Sequence, residues 1–385
     1  MIQLVDKKNC CGCHACLQVC PKRCISMTED NEGFLYPSVD IESCIDCGLC
    51  EQVCPMFNPE KPQQPLEVHA AKNPDVVVRM DSSSGGVFSA LAEQVIAEGG
   101  VVFGAKYDES YTKVVHAYAE TKDAISVFRR SKYAQSEIGN TYKEAETFLK
   151  QGREVLYSGT PCQIAGLKHY LRREYDKLLT IDIVCHGVPS PLVWREYLKS
   201  IVPQEEKVRY VNMRDKRNGW SSYCIAVRTD KREICMPASK CVFIEGFLRD
   251  LYLRPSCYNC SAKSGRSGSD ITLGDFWGVA NLHSECADEG GVSLALAWSR
   301  EGVDVVRSAK CSVVESNYNN VKVFNPSIER NVAEPKLRGT FWERFEQEGV
   351  AAIEMVCREL RPSLFSRVLT KVKNTIRRII CGRNI

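Results

Sequence analysis

Cys10-x2-Cys13-x2-Cys16-x3-Cys20-Pro21 recurs, gap for gap, as Cys44-x2-Cys47-x2-Cys50-x3-Cys54-Pro55. A [4Fe–4S] cluster needs four thiolates around a cube of iron and sulfide. Three come from one tight loop, where two intervening residues let each sulfur reach a different iron. The fourth arrives from elsewhere, and in a chain with two such runs the last cysteine of each serves the other cluster. Spacing therefore assigns Cys10, Cys13, Cys16 and Cys54 to one cluster, and Cys44, Cys47, Cys50 and Cys20 to a second. Zinc is the competing reading, but its sites use paired C-x2-C elements or bring in histidine. Three cysteines at two-residue gaps, twice over, do not suit a tetrahedral ion. Cys11, Cys24 and His14 fall outside the repeat and are expected as bystanders, with His14 beside a cluster or in solvent. Between the runs, Cys24–Met27 and Phe34–Pro37 flank Asn31-Glu32-Gly33, a pattern that predicts a small hairpin.

Twenty-one cysteines in 385 residues could also signal disulfides. The first ten residues lack the apolar core of a secretory signal, and no apolar run is long enough to span a bilayer. A cytoplasmic protein with reduced thiols is the expectation, so the cysteines should be metal ligands or small buried hydrophobes. The net charge of +3 is uneven. Residues 361–385 hold seven Lys/Arg and no Asp/Glu, so without them the rest stands at −4. A mildly acidic body argues against nucleic acid as a partner.

Residues 58–65 are proline-rich and polar, a stiff linker. After them strands and helices alternate. A helix is predicted over about 85–98, strands at Val101–Gly104, Glu154–Tyr157 and Leu179–Val184, and helices over 163–172 and 191–202. This rhythm predicts an α/β domain with a mixed, largely parallel sheet. Residues 223–237 and 269–298 are richer in short β segments, expected at the sheet edge. Ligand-binding groups gather beyond the carboxyl ends of such strands. Cys162, in Ser158-Gly159-Thr160-Pro161-Cys162, and Cys185, in Val184-Cys185-His186-Gly187, fall at such ends. With Cys257-x2-Cys260 they make four thiolates, enough for a third [4Fe–4S] cluster. On spacing alone, buried hydrophobic cysteines or half of a zinc site explain them equally well. Cys224, Cys235, Cys241, Cys286, Cys311, Cys357 and Cys381 show no ligand spacing. Ser82-Ser83-Ser84-Gly85-Gly86 opens a helix, either as serine caps or as a phosphate-binding start. No G-x-G-x-x-G or Walker A motif is present.

Several stretches, in order over about residues 68–300, resemble the coenzyme F420 hydrogenase/dehydrogenase beta-subunit family. They are Ser82–Phe88, Ser131–Ser136, Ser158–Leu167, Asp182–Ser190, Arg214–Lys216 with Gly219-Trp220, Arg254–Cys260 and Asp270–Gly278. The resemblance implies a flavin, usually FAD, with a third [4Fe–4S] cluster near it held by Cys162, Cys185, Cys257 and Cys260. It makes Ser84, Gly85, Gly86, Lys132, Thr160 and His186 candidates for the flavin site. His186, Lys132 and Asp275 become candidate proton or anchoring groups, with no catalytic residue named. The family's acceptors differ, so F420, chlorophyll derivatives and unknown substrates of polysaccharide gene clusters all stand open.

The expected organisation is a two-[4Fe–4S] ferredoxin domain of the α+β class at 1–57 and a linker at 58–67. Family-type N- and C-terminal units follow at 68–150 and 151–325, then a helical tail at 326–385. The expected function is an iron–sulfur flavoprotein oxidoreductase that takes electrons from a ferredoxin-like donor to an unknown small-molecule acceptor. A non-catalytic electron-transfer subunit of a larger complex is the alternative. In the tail, Leu364, Phe365, Val368, Leu369, Val372, Ile376, Ile379 and Ile380 share one helical face beside five basic residues. That pattern suits either packing on the protein or peripheral contact with the inner face of an anionic membrane.

Overall fold

A computed structural model describes residues 1–361. The amphipathic basic stretch 363–380 and Cys381 lie outside the described residues. The chain opens with the predicted hairpin, β1 (Ile25–Glu29) antiparallel to β2 (Leu35–Val39). Asp30 closes its turn, its carboxylate accepting from Glu32 N–H at 3.0 Å and Phe34 N–H at 2.9 Å. Two short helices, Ala15–Val19 and Leu49–Gln52, follow the two cysteine loops. The core of this module is Ile2, Ile25 and four cysteines, Cys16, Cys24, Cys50 and Cys54. A core this thin leaves most of the folding energy to bound metal.

Strands β3 (Glu67–Lys72), β4 (Val101–Tyr107), β5 (Val114–Ala119), β6 (Ser136–Glu137), β7 (Val155–Gly159) and β8 (Leu178–Ile183) come next. A separate trio, β9 (Val208–Asp215), β10 (Cys224–Thr229) and β11 (Glu233–Pro237), precedes β12 (Ile271–Asp275), β13 (Ser293–Ala297) and β14 (Ser312–Glu315). Nine strands form one mixed sheet in the order β14-β3-β13-β12-β8-β7-β4-β5-β6. Its centre, β12-β8-β7-β4, is parallel, and antiparallel partners flank it on both sides. Central parallel strands are buried on both faces, which is why they read as mostly apolar runs, with Thr180, Asp182 and Thr272 the buried polar exceptions in β8 and β12. Val102, Leu156 and Leu179 face the helices Val87–Ala97 and Arg300–Ser308. Val101, Val155 and Leu178 face the helices Thr141–Lys150 and Pro161–Leu171. Cys11, Cys13, Ala15 and Val53 join that second layer, so the cysteine-rich module packs directly on the Pro161–Leu171 side.

Two placements correct the sequence reading. Residues 224–237 do not edge the large sheet; they pair with β9 in a three-stranded antiparallel sheet. That small sheet packs with the helices Pro191–Ile201, Val242–Leu248, Arg338–Glu348 and Ala351–Glu359 around Trp194 and Phe243. Residues 271–297 supply interior strands, because β3 returns to pair with β13 and β14 takes the edge. No local pattern encodes either choice; both depend on which distant strand is free to pair. No helix among the described residues is long and apolar enough to cross a membrane.

Candidate metal centres

The cysteine-rich module contains two hollows. One is lined by Cys10, Cys13, Cys16 and Cys54, together with Cys11 and His14. The other is lined by Cys20, Cys44, Cys47 and Cys50, together with Cys24. Each hollow thus takes three cysteines from one loop and one from the other. Among the described residues no His/Cys/Asp/Glu group is arranged to hold a single metal ion. A four-iron cluster makes a different demand, since each thiolate binds its own iron. His14 is buried, which excludes the solvated alternative; burial, reinforced by Arg254, pushes its pKa down to about 4, so it stays neutral. Cys24 is buried, with its sulfur 3.4 Å from that of Cys20.

The other four candidates come from three separate elements. Cys162 lies in the first turn of the helix Pro161–Leu171, after β7. That helix starts where it does because Pro161 occupies its first position and Gln163 reaches back to accept from Thr160 N–H at 2.9 Å. Cys185 follows β8, Cys257 lies within the tight turn Pro255–Asn259, and Cys260 caps its end. All four thiols are half-buried and fall within one another's electrostatic reach. Burial first, then neighbouring thiols, pushes Cys257 up to about 12 and Cys185 well above the ordinary thiol value. Bound iron would supply the positive charge that four such thiols need in order to ionise.

Each cysteine set receives an N–H donor on one sulfur. Arg254 Nη2 stands 3.5 Å from Cys10 Sγ, Ile2 N 3.2 Å from Cys50 Sγ, and Val188 N 3.4 Å from Cys257 Sγ. Donors aimed at sulfur suit thiolates held on a cluster. Cys11, expected as a bystander, lies between the sets: its thiol sits beside both Cys13 and Cys162. Of the remaining cysteines, Cys241 and Cys357 pack in one apolar core and Cys286 in another, while Cys224 is buried.

The residues expected around a flavin spread along the carboxyl ends of the central strands. Ser84 Oγ donates to Val292 O at 2.8 Å, and a Cβ at Gly85 would lie 2.4 Å from Ala71 O and 2.5 Å from Ser293 N. Backbone on both sides explains why glycine is needed here: this helix start is pressed against β3 and β13. Gly85→Ala should therefore cost about 1–3 kcal/mol by overpacking, seen as an earlier denaturant midpoint at unchanged iron content. Lys132 Nζ donates to Arg129 O at 2.8 Å and Arg130 O at 3.2 Å; burial of its ammonium, with Arg130 adding, pushes it down to about 7. Thr160 sits 3.3 Å from the Cys162 sulfur, and His186 Nε2 is 2.6 Å from Asp250 Oδ1. Asp275 accepts from Arg214 and from Trp220 Nε1 at 3.1 Å.

Two family models match the chain. Residues 9–58 match the 4Fe-4S dicluster domain, and residues 152–319 match the C terminus of the coenzyme F420 hydrogenase/dehydrogenase beta subunit. No curated protein matches. Among solved structures, a chain of the F420-reducing [NiFe] hydrogenase complex from Methanosarcina barkeri is similar at 17% identity and a TM-score of 0.44, covering 78% of this chain and 94% of that one. Neither family description mentions a flavin or polysaccharide synthesis.

Proposed function

We propose that this chain is an iron–sulfur electron-transfer subunit of a larger redox assembly, because residues 9–58 match the 4Fe-4S dicluster domain and residues 152–319 match the C terminus of the coenzyme F420 hydrogenase/dehydrogenase beta subunit. The sulfur contacts carry this reading. The second hollow is lined by the exposed Cys47, the first by Cys11 and Cys13, and the Cys11 thiol sits beside both Cys13 and Cys162 of the third set. When bound, four-iron clusters supply one-electron carriers. The chain's own work is to hold the three cysteine sets and to bury thiols such as Cys13, Cys16, Cys50 and Cys54. It also leaves the Cys47 end open to a ferredoxin-like donor protein. Cys185 and His186 emerge together after β8, where a partner subunit or an organic acceptor would take the electrons.

One observation favours a second reading, a flavin-dependent oxidoreductase. Arg214 is buried and bound to Asp275 through Nη1, yet its Nε and Nη2 have no partner. Its guanidinium lies 4.6 Å from the Tyr223 ring and 5.6 Å from that of Trp277. Flavin phosphates or hydroxyls would satisfy such donors. Ser84 and Lys132, in contrast, spend their polar groups on backbone carbonyls.

Protein prepared without air should hold about twelve irons per chain, accept electrons from dithionite and deliver them singly to a protein acceptor. Fewer than about eight irons, or no single-electron delivery, would overturn the proposal. One flavin per chain, released by acid, would favour the second reading.

A further inference from the structure

Arg254 is 1% exposed, and among the described residues no carboxylate pairs with it. A buried cation without a counter-charge is costly and persists only where an anion repays it. Its partners are neutral or sulfur. Nε donates to Cys10 O at 2.7 Å, Nη1 to Gln135 Oε1 at 2.8 Å and Nη2 to Leu35 O at 2.9 Å. The remaining Nη2 contact is Cys10 Sγ at 3.5 Å. Tyr36 and Phe34 cover the guanidinium, at 4.3 and 5.4 Å. The anion that would complete this arrangement is the set of thiolates around Cys10.

The surrounding residues are built for that approach. Gln135, which accepts from Arg254, also donates to Cys11 O at 2.8 Å, so one amide fixes both the guanidinium and the cysteine loop. A Cβ at Gly12 would lie 2.7 Å from Arg254 Nη1 and 2.9 Å from Gln135 Nε2, so the loop stays bare where the charge comes closest. Arg254 stands three residues before Cys257 and so belongs to the loop of the third set. Among the described residues that line it, the second hollow has no comparable buried charge. Lys22 on its rim is exposed, and the Met1 amine there pairs with Asp46 at 2.7 Å. Water screens such charges, while a buried one is screened much less.

We infer that Arg254 is the buried counter-charge of the cluster held by Cys10, Cys13, Cys16 and Cys54, raising its reduction potential above that of its neighbour and drawing electrons toward the third set. This rests on the iron–sulfur reading above. Reduction adds one electron and no proton, so the product is more negative by one charge, and a fixed cation favours it.

The test is a potentiometric titration with dithionite, followed by electron paramagnetic resonance, on the full chain with iron counted beforehand. In Arg254→Gln the midpoint of one ferredoxin cluster should fall by at least a tenfold change in its reduced fraction, about 59 mV for a one-electron couple. The other cluster should not move, and Arg254→Lys should keep most of the native value. Gln135→Glu keeps the side-chain shape but sets a carboxylate on the guanidinium, and should lower the same midpoint. If Arg254→Gln fails to load iron, Gln135→Glu decides the matter. Unmoved midpoints at full iron content, or equal falls in both clusters, would overturn the proposal. A wild-type chain without iron would instead overturn the reading it rests on.

Discussion

A chain carrying Cys257→Ser and Cys260→Ser together, purified without air, is expected to hold about eight irons in place of about twelve. The two cysteines lie in and just after the Pro255–Asn259 turn, while Cys162 and Cys185 come from two other elements. Removing two of four thiolates leaves a pair that cannot hold a four-iron cluster against solvent. The other eight ligands lie in the hollows of the first 57 residues, whose linings do not include Cys257 or Cys260. Their signals in electron paramagnetic resonance should survive. Unchanged iron would dismiss the third centre, and loss of all iron would show that the Arg254–Cys260 loop holds the module itself in place.

The second large effect is expected on stripping the iron. A chelator with mild oxidant should make residues 1–57 sensitive to trypsin while the nine-stranded sheet still resists. Four of the six residues in that module's own core are cysteines, three of them assigned as ligands. Without metal, a two-stranded hairpin and two short helices have little else to bury. The large sheet is different, with apolar layers on both faces. Docking offers some resistance, since Arg338 pairs with Glu32 and Gln18 accepts from Tyr142 N–H at 3.1 Å. Digestion at Lys22 and Arg23 before the sheet is cut supports a metal-dependent module. An identical digestion pattern with and without iron would refute it.

Legibility follows sequence distance. Cys10 to Cys54 sort into two crossed sets because cluster ligation demands fixed gaps, and gaps are visible in a string. The central strands are visible because strands buried on both faces are mostly apolar, Thr180, Asp182 and Thr272 apart. Cys11 escapes such a reading because it breaks the repeat, and what makes it a neighbour of Cys162 is packing across 151 positions. Gln135 lies in the family-like stretch Ser131–Ser136, but nothing in that stretch points to Arg254 or Cys11. Arg254 carries one that spacing cannot read: it opens the stretch that ends in Cys257-x2-Cys260.

By itself, then, the sequence determined the metal chemistry, through the repeated cysteine run, and the parallel centre of the sheet, through its apolar segments. Tertiary structure alone decided that β12 and β13 are interior strands, that Ser84 and Gly85 press a helix start onto the sheet, and that a cation 244 residues from Cys10 lies against its sulfur. The physical reason is the same in each case. Thiolate spacing and strand hydrophobicity are demands a segment meets locally, whereas strand order, close backbone approach and a buried counter-charge exist only once distant segments have excluded water between them.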